Sequence, residues 1–397
     1  VSGVVDRARL GQALRTLIRI NPILRVRIYP DEDGLVQEIA ADDDAHLEVV
    51  GCADAAALER KLTELAAHRI DVSSEPPLQV AVLTCEAQAY SVVVLHVHHT
   101  ICDGRSMALL VRQLTVLLSG DPAPASGAAD LRYLQHCLAC QAAPEIGAAS
   151  LAYLSATLSE LQAIPHDHPV GEDRCFRGKE VALRYASSQI ERIVRALDVP
   201  GVTPFTLFMA VYSLCLSRTF DLAAPLIGFT SGAVPDGCSD AIGCYVSVLP
   251  VRIGATEVPQ LRAFVREMSL KVWNAIERCT PSFEALLPVL RDRKIAVDFR
   301  GFQTIVAYDN NIIEELEIAG LPVLPRHVHT RSSKFELSLN IEVGRHFFDV
   351  YFEYNDALFF AETIEALRAS FDSMLEAIAA NPHVMNQDLL AMAIRTN

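Results

Sequence analysis

No apolar run in this 397-residue chain is long enough to cross a bilayer; runs such as Val92–Leu95 and Leu207–Leu216 are too short or too interrupted. The opening Val1-Ser2-Gly3-Val4-Val5-Asp6-Arg7 lacks a basic head followed by a long apolar stretch, so no secretory signal is read there. Basic residues are in deficit, 34 Lys and Arg against 49 Asp and Glu, for a net charge of −15. They nowhere concentrate into a long stripe, which argues against nucleic acid and membrane as partners. A disulfide framework is missing too. The 10 cysteines, Cys52, Cys85, Cys102, Cys137, Cys140, Cys175, Cys215, Cys238, Cys244 and Cys279, lie scattered and mostly inside apolar elements. They fit free core thiols in a reducing, cytoplasmic setting. Cys137-Leu138-Ala139-Cys140, beside His136, has no second Cys or His pair to complete a zinc set. His327 and His329 alternate as on one strand face but have no third ligand, so no metal site is expected.

Hydrophobic residues make up 51% of the chain and charged residues 21%, enough apolar material for two cores. A chain of 397 residues exceeds what one core usually organises. Ser119–Gly127 reads as a loop by composition, Leu131–Leu161 is helical in pattern, and Pro165–Gly178, with its prolines, glycines and charges, reads as an interdomain linker. Strand and helix signals alternate on both sides of that linker. The expected organisation is an α/β protein with an N-terminal domain over residues 1–170 and a C-terminal one over 171–397. No short tandem repeat is visible.

The stretch richest in chemistry is Leu95-His96-Val97-His98-His99-Thr100-Ile101-Cys102-Asp103-Gly104. Ser91–Leu95 reads as a buried strand, and Arg105–Ser119, with Met107, Leu110, Leu114 and Leu117 at helical spacing, as the helix that follows. The histidine pair thus sits at a strand-to-helix turn. A lone His near the end of an apolar strand is ordinarily a satisfied core or surface residue. Two adjacent histidines, a carboxylate four residues after the second and a glycine behind it form the sharper pattern His98-His99-x-x-x-Asp103-Gly104. Such a turn can aim His99 into a cleft while Asp103 fixes the loop and Gly104 takes the backbone conformation the turn demands. His96 falls outside the pattern and reads as packing, as does Cys102.

That pattern resembles the signature of the condensation-domain family of nonribosomal peptide synthetases, within the chloramphenicol-acetyltransferase-like superfamily. The resemblance covers almost the whole chain in order. Asn21-Pro22-Ile23-Leu24-Arg25 looks like the family's "Pro-x-Leu-Arg" entry to a strand, and Ile164-Pro165-His166-Asp167-His168-Pro169 like its "Leu-Pro-x-Asp-x-Pro" segment. Val202-Thr203-Pro204-Phe205 opens a long apolar helix, and Gly228-Phe229-Thr230-Ser231-Gly232 matches "Gly-x-x-x-Gly". Gly243-Cys244-Tyr245-Val246-Ser247-Val248-Leu249-Pro250-Val251-Arg252 is similar to "Gly-x-Phe-Val-Asn-Thr-Leu-Pro-Leu-Arg". Pro281-Ser282-Phe283-Glu284, Ser333–Leu339 and Phe352–Phe359 complete the series.

The resemblance implies two chloramphenicol-acetyltransferase-like subdomains forming a V-shaped pseudodimer around a central tunnel, in a monomeric enzyme. It implies transfer of an acyl group from the phosphopantetheine arm of a carrier protein to an amine or hydroxyl acceptor, with no bound cofactor. His99 would be the base or orienter, His98 would hold the turn, Asp103 would be ion-paired and structural, and Gly104 would allow close backbone approach. Ser247 and Ala233 would line the substrate channel. Departures are visible: Ile20-Asn21 replaces Arg-His, Ser247-Val248 replaces Asn-Thr, and Ala233 replaces an Arg that often partners the motif Asp. Arg25 is the first candidate for that missing cation. The family's usual opening segment does not precede Val1, which implies a trimmed or variant chain. Docking of an acidic carrier on so negative a chain calls for a local basic patch. Arg291, Arg293 and Lys294 are the first candidates, and Arg326, Arg331 and Lys334 the second. Two other functions fit the same pattern, a noncatalytic condensation-like module that recruits another protein and a free-standing acyltransferase using coenzyme A donors.

Overall fold

The computed structural model describes residues 5–32, 34–41, 46–85, 90–119, 130–140, 147–169, 176–232, 234–279, 283–294, 299, 301–311, 316–318 and 321–392, apart from the side chains of 284, 285, 316–318, 321 and 322. In chain order the elements are α1 (Arg7–Ile20), β1 (Val26–Asp31), β2 (Gly34–Ile39), β3 (His46–Cys52), α2 (Ala55–Ala67), β4 (Leu78–Cys85), β5 (Tyr90–Val97), α3 (Gly104–Ser119) and α4 (Arg132–Cys140). There follow α5 (Ala148–Leu158), β6 (Gly178–Ala186), α6 (Ser187–Leu197), α7 (Pro204–Phe220), β7 (Leu226–Gly232), β8 (Val246–Arg252), α8 (Leu261–Cys279), α9 (Phe283–Asp292) and β9 (Thr304–Asp309). The chain closes with β10 (Leu316–Ile318), β11 (Leu321–Val323), β12 (Leu337–Val343), β13 (Phe347–Asn355), α10 (Ala361–Ala380) and α11 (Asn386–Ala391).

Contacts divide the chain into two compact units. The first holds Val1–Ala142 with Val234–Tyr245 and Asn311–Thr330; the second holds Ala143–Ala233, Val246–Asn310 and Arg331–Asn397. The sequence-based boundary at residue 170 differs from this division. Leu131–Leu161 is not one helical stretch: α4 ends at Cys140, and α5 starts after Gly147 at its N-cap. Leu154 and Leu158 of α5 are buried in the core of the second unit, so helical packing carries the chain across before the proline-rich segment is reached.

The first unit is built on a three-stranded sheet, β3-β4-β5, with β3 parallel and β5 antiparallel to β4. Strand β4 shows why both faces need cover. Val80 and Val82 join a core with Leu10, Leu14 and Leu17 of α1 and Leu110 and Leu114 of α3, while Leu83 and Cys85 pack with Leu58 and Leu62 of α2. This is the period-2 alternation of a strand sandwiched between helices. Helix α1 starts because Asp6 accepts the N–H groups of Ala8 and Arg9. His327 and His329 lie in a segment without regular structure, not on a strand face, because β11 ends at Val323.

The second unit carries a six-stranded sheet in the order β6-β13-β12-β9-β7-β8. Helix α7 is buried on nearly all sides from Thr206 to Leu216, the pattern of a central core helix, and is launched by a reciprocal Thr203–Thr206 capping box with Pro204 in its first turn. Gly228 of β7 leaves room for close strand packing, since a Cβ there would stand 2.6 Å from Val248 Cγ1. Among the described residues, no helix is long and apolar enough to cross a membrane.

Candidate active site

The ladder between β4 and β5 runs one step past the strand, because His98 N–H donates to Pro77 O at 2.8 Å. The chain then turns: Ile101 N–H reaches His98 O at 3.2 Å, and Ile101, Cys102 and Asp103 go into the interior. His98 and His99 stay at the rim, the first half-buried and the second exposed. His98 folds back on its own turn. Its Nδ1 lies 2.8 Å from Thr100 Oγ1 and accepts Thr100 N–H at 3.3 Å. Because a backbone N–H can only donate, Nδ1 is the unprotonated nitrogen in this arrangement.

Asp103 stands directly before α3 and is its N-cap. Oδ1 accepts the N–H of Ser106 at 2.8 Å, and Met107 N–H donates to Asp103 O, also at 2.8 Å. The second carboxylate oxygen does something the motif alone does not reveal. Oδ2 accepts Tyr245 N–H at 2.9 Å, while Asp103 N–H donates to Gly243 O at 3.3 Å. Ser106 Oγ donates to Gly243 O at 2.6 Å and accepts Gly243 N–H at 3.1 Å. Arg105 donates to Ser239 O and Ala241 O and lays its guanidinium 5.0 Å from the centre of the Tyr245 ring. The segment ending in Gly243-Cys244-Tyr245 is therefore stitched to the first turn of α3. Tyr133 clamps it from another side. Its hydroxyl donates to Cys244 O at 3.1 Å, and its ring lies so close that a Cβ on Gly243 would stand 2.2 Å from it. That fixed backbone sets Cys244 Sγ 3.9 Å from His99 Nδ1.

The cation expected beside Asp103 is absent among the described residues. Arg25 donates instead to Ala40 O at 2.7 Å, and the Asp103 carboxylate is satisfied by two peptide N–H groups. An ionised carboxylate taking backbone donors at a helix start needs no Arg to remain buried. Gly104 also differs from expectation. It is the exposed first residue of α3 and is not in the left-handed region, so the turn does not rest on its special backbone freedom. Cys102 is buried, and burial pushes its thiol up, away from reactivity. His96 is likewise held below its ordinary value, chiefly by burial and then by His68 and His98.

The remaining candidates lie elsewhere. Ser247 stands half-buried on β8 of the second unit, opposite Ser231 of β7. Ala233 falls outside the described residues, as do Pro281, Ser282 and Cys175. Arg291, Arg293 and Lys294 are exposed at the end of α9, where Lys294 adopts a left-handed backbone. Arg326 is engaged with Glu59 in a two-pronged ion pair at 2.6 and 2.9 Å. Among the described residues no three His, Cys, Asp or Glu side chains gather as a metal site would require. Ser106, Arg105, Tyr133 and Cys244 escaped the sequence-based site. The signal available for the last was the Gly243-Cys244-Tyr245 motif itself.

The family model for the condensation domain matches residues 1–395. The chain belongs to the condensation-domain family. It is 26% identical over 400 residues to surfactin synthase subunit 2 of Bacillus subtilis (strain 168), covering 100% of this chain and 11% of the relative. It thus spans a small part of the synthetases it matches. In fold, this condensation domain is similar to part of a four-domain nonribosomal peptide synthetase bound to AMP and glycine, with a TM-score of 0.83 and 16% identity over 98% of this chain and 31% of that one. It is also similar to the X-domain solved in complex with OxyB from teicoplanin biosynthesis, with a TM-score of 0.76 and 19% identity over 99% and 90% of the two chains.

Proposed function

We propose that this condensation domain transfers an acyl group from the phosphopantetheine thioester of a carrier protein to an amine or hydroxyl acceptor, forming an amide or an ester. The observation that carries this is an exposed imidazole, His99, on a turn fixed at one end by the β4–β5 ladder and at the other by the Asp103 cap and its bond to Tyr245. A thioester is already activated. The protein's task is to hold the nucleophile against the carbonyl and take or position the departing proton near neutral pH, for which an imidazole on a rigid turn is suited. His98 serves as a positioning residue through Thr100, and Asp103 as the fastener of the turn. The synthetase context of the relatives supports a carrier-borne donor.

The test is intact-mass analysis of an acyl-loaded carrier protein incubated with this protein and a panel of amines and alcohols. Acyl loss from the carrier with a matching mass gain on one acceptor is expected, and His99→Ala should reduce it about 10²- to 10⁴-fold. A second reading, a noncatalytic module that recruits another protein, draws support from the X-domain fold solved in complex with OxyB. It predicts no transfer to any acceptor.

A further inference from the structure

His99 has a chemical neighbour that lies outside the motif in sequence. Cys244 Sγ stands 3.9 Å from His99 Nδ1, and the backbone on either side of the cysteine is pinned, at Gly243 by Ser106 and Asp103 and at Tyr245 by the Asp103 carboxylate. The thiol is half-buried, unlike that of Cys102, which is buried and pushed up by that burial. A thiol in reach of an imidazole at a partly open site is the arrangement that activates sulfur nucleophiles, and such contacts are often long before substrate binds. Nothing in the proposed transfer requires a sulfur here.

We infer that Cys244 accepts acyl groups from thioesters, giving this protein a thioester-exchange activity beside condensation. The Cys244 thiol passes its proton to His99 Nδ1, and the sulfur attacks the carbonyl carbon of the donor thioester. The bond between that carbon and the donor sulfur breaks, and the departing thiolate takes the proton back from the imidazolium. The products are S-acyl-Cys244 and the free donor thiol; one thioester replaces another, with no oxidant, reductant or further reactant. The inference rests on the thioester-donor reading above and adds a resting place for the acyl group on the protein.

The test omits the acceptor. The protein is incubated with a small acyl-pantetheine thioester, quenched in acid, and analysed by intact mass and peptide mapping. A gain of one acyl group on the peptide bearing Cys244 is expected, labile to hydroxylamine and lost in Cys244→Ala. In His99→Ala it should form about a hundredfold more slowly or worse. Wild-type protein alkylated at Cys244 by iodoacetamide should lose the adduct in the same way, so the result does not hang on the folding of one variant. Cys140 is exposed and lies 3.6 Å from His136 Nε2, which makes it the internal control. An acyl group found on Cys140 and not on Cys244 overturns the inference, as does an adduct on Cys244 that forms as fast in His99→Ala. No adduct from a protein that does form product when acceptor is added overturns the exchange and leaves the transfer standing. An adduct on Cys244 with no product from any amine or alcohol does the reverse.

Discussion

Asp103→Ser separates two jobs that one carboxylate performs. Its Oδ1 caps α3 through Ser106 N–H, and its Oδ2 holds Tyr245 N–H, 142 residues further along the chain. A serine hydroxyl can still cap the helix but is too short to serve the second donor as well. Losing a hydrogen bond to a charged acceptor costs about 1.5–3 kcal/mol, so Tyr245 amide exchange should speed up roughly tenfold to more than a hundredfold while Ser106 stays protected. Asp103→Ala loses the cap too, at about 1 kcal/mol more, for a total of about 2.5–4 kcal/mol. A buried Arg partner left unpaired would instead put the Ala variant at about 3–5 kcal/mol and make no distinction between the two amides. Asp103→Asn keeps a carbonyl for Ser106 but turns an N–H₂ toward Tyr245 N–H, and should resemble Ser. The assay is hydrogen exchange read at single amides. Fluorescence of Trp273 is unsuited, because that residue lies on α8 in the other unit. If Tyr245 keeps its protection in Asp103→Ala, the carboxylate is not what holds the segment and this account of the site fails.

Further outcomes follow from the same geometry. His99→Ala should keep the melting behaviour of the parent, since the ring is exposed, and lose most transfer; His98→Ala should lose less, because its ring bonds to Thr100. Near-parental turnover in a folded His99→Ala protein would rule out the base. Gly243→Ala drives a methyl into the Tyr133 ring and should cost about 1–3 kcal/mol in urea unfolding, with partial recovery in the double variant Gly243→Ala/Tyr133→Ala; equal losses in both would exclude the clash. Reversing Arg291, Arg293 and Lys294 to Glu should slow transfer from a carrier far more than from a small pantetheine thioester, with added salt mimicking part of the loss; equal effects on both donors would remove this patch as the docking surface. His96 titrates below its ordinary value of 6.5 in the folded state, so the unfolded chain binds more protons in that window and stability falls as pH drops through it. Urea midpoints compared above and below the ordinary histidine value should diverge less in His96→Gln than in the parent.

Local chemistry was legible in the sequence. Strand β5, the α3 start and the placement of both histidines at the intervening turn follow from short-range periodicity, which one segment carries by itself. Long-range partnership was not. The expectation of an Arg beside Asp103 came from the family resemblance, and in this chain two backbone amides serve the carboxylate without leaving any trace in residue type. The same blindness applies to Cys244, which lies 145 positions along the chain from His99 and meets it only once the chain has folded back. Composition marked Pro165–Gly178 as punctuation, yet packing of Leu154 and Leu158 had already committed α5 to the second unit. A boundary drawn by loop character cannot see which core a preceding helix serves.

The return of Val234–Tyr245 and Asn311–Thr330 into the first unit sets a timetable for synthesis. A ribosome delivers His98, His99 and Asp103 first, but the residues that lock their turn emerge more than a hundred positions later, behind the first segment of another unit. Domains often fold in the order they are made, whereas this one must wait for its own tail. Until Tyr245 arrives, Asp103 Oδ2 and the Tyr133 ring lack the backbone partners they hold in the folded protein. Anyone exchanging such domains between synthetases at residue 170 would hand the recipient the histidines of one parent and the fastening of the other.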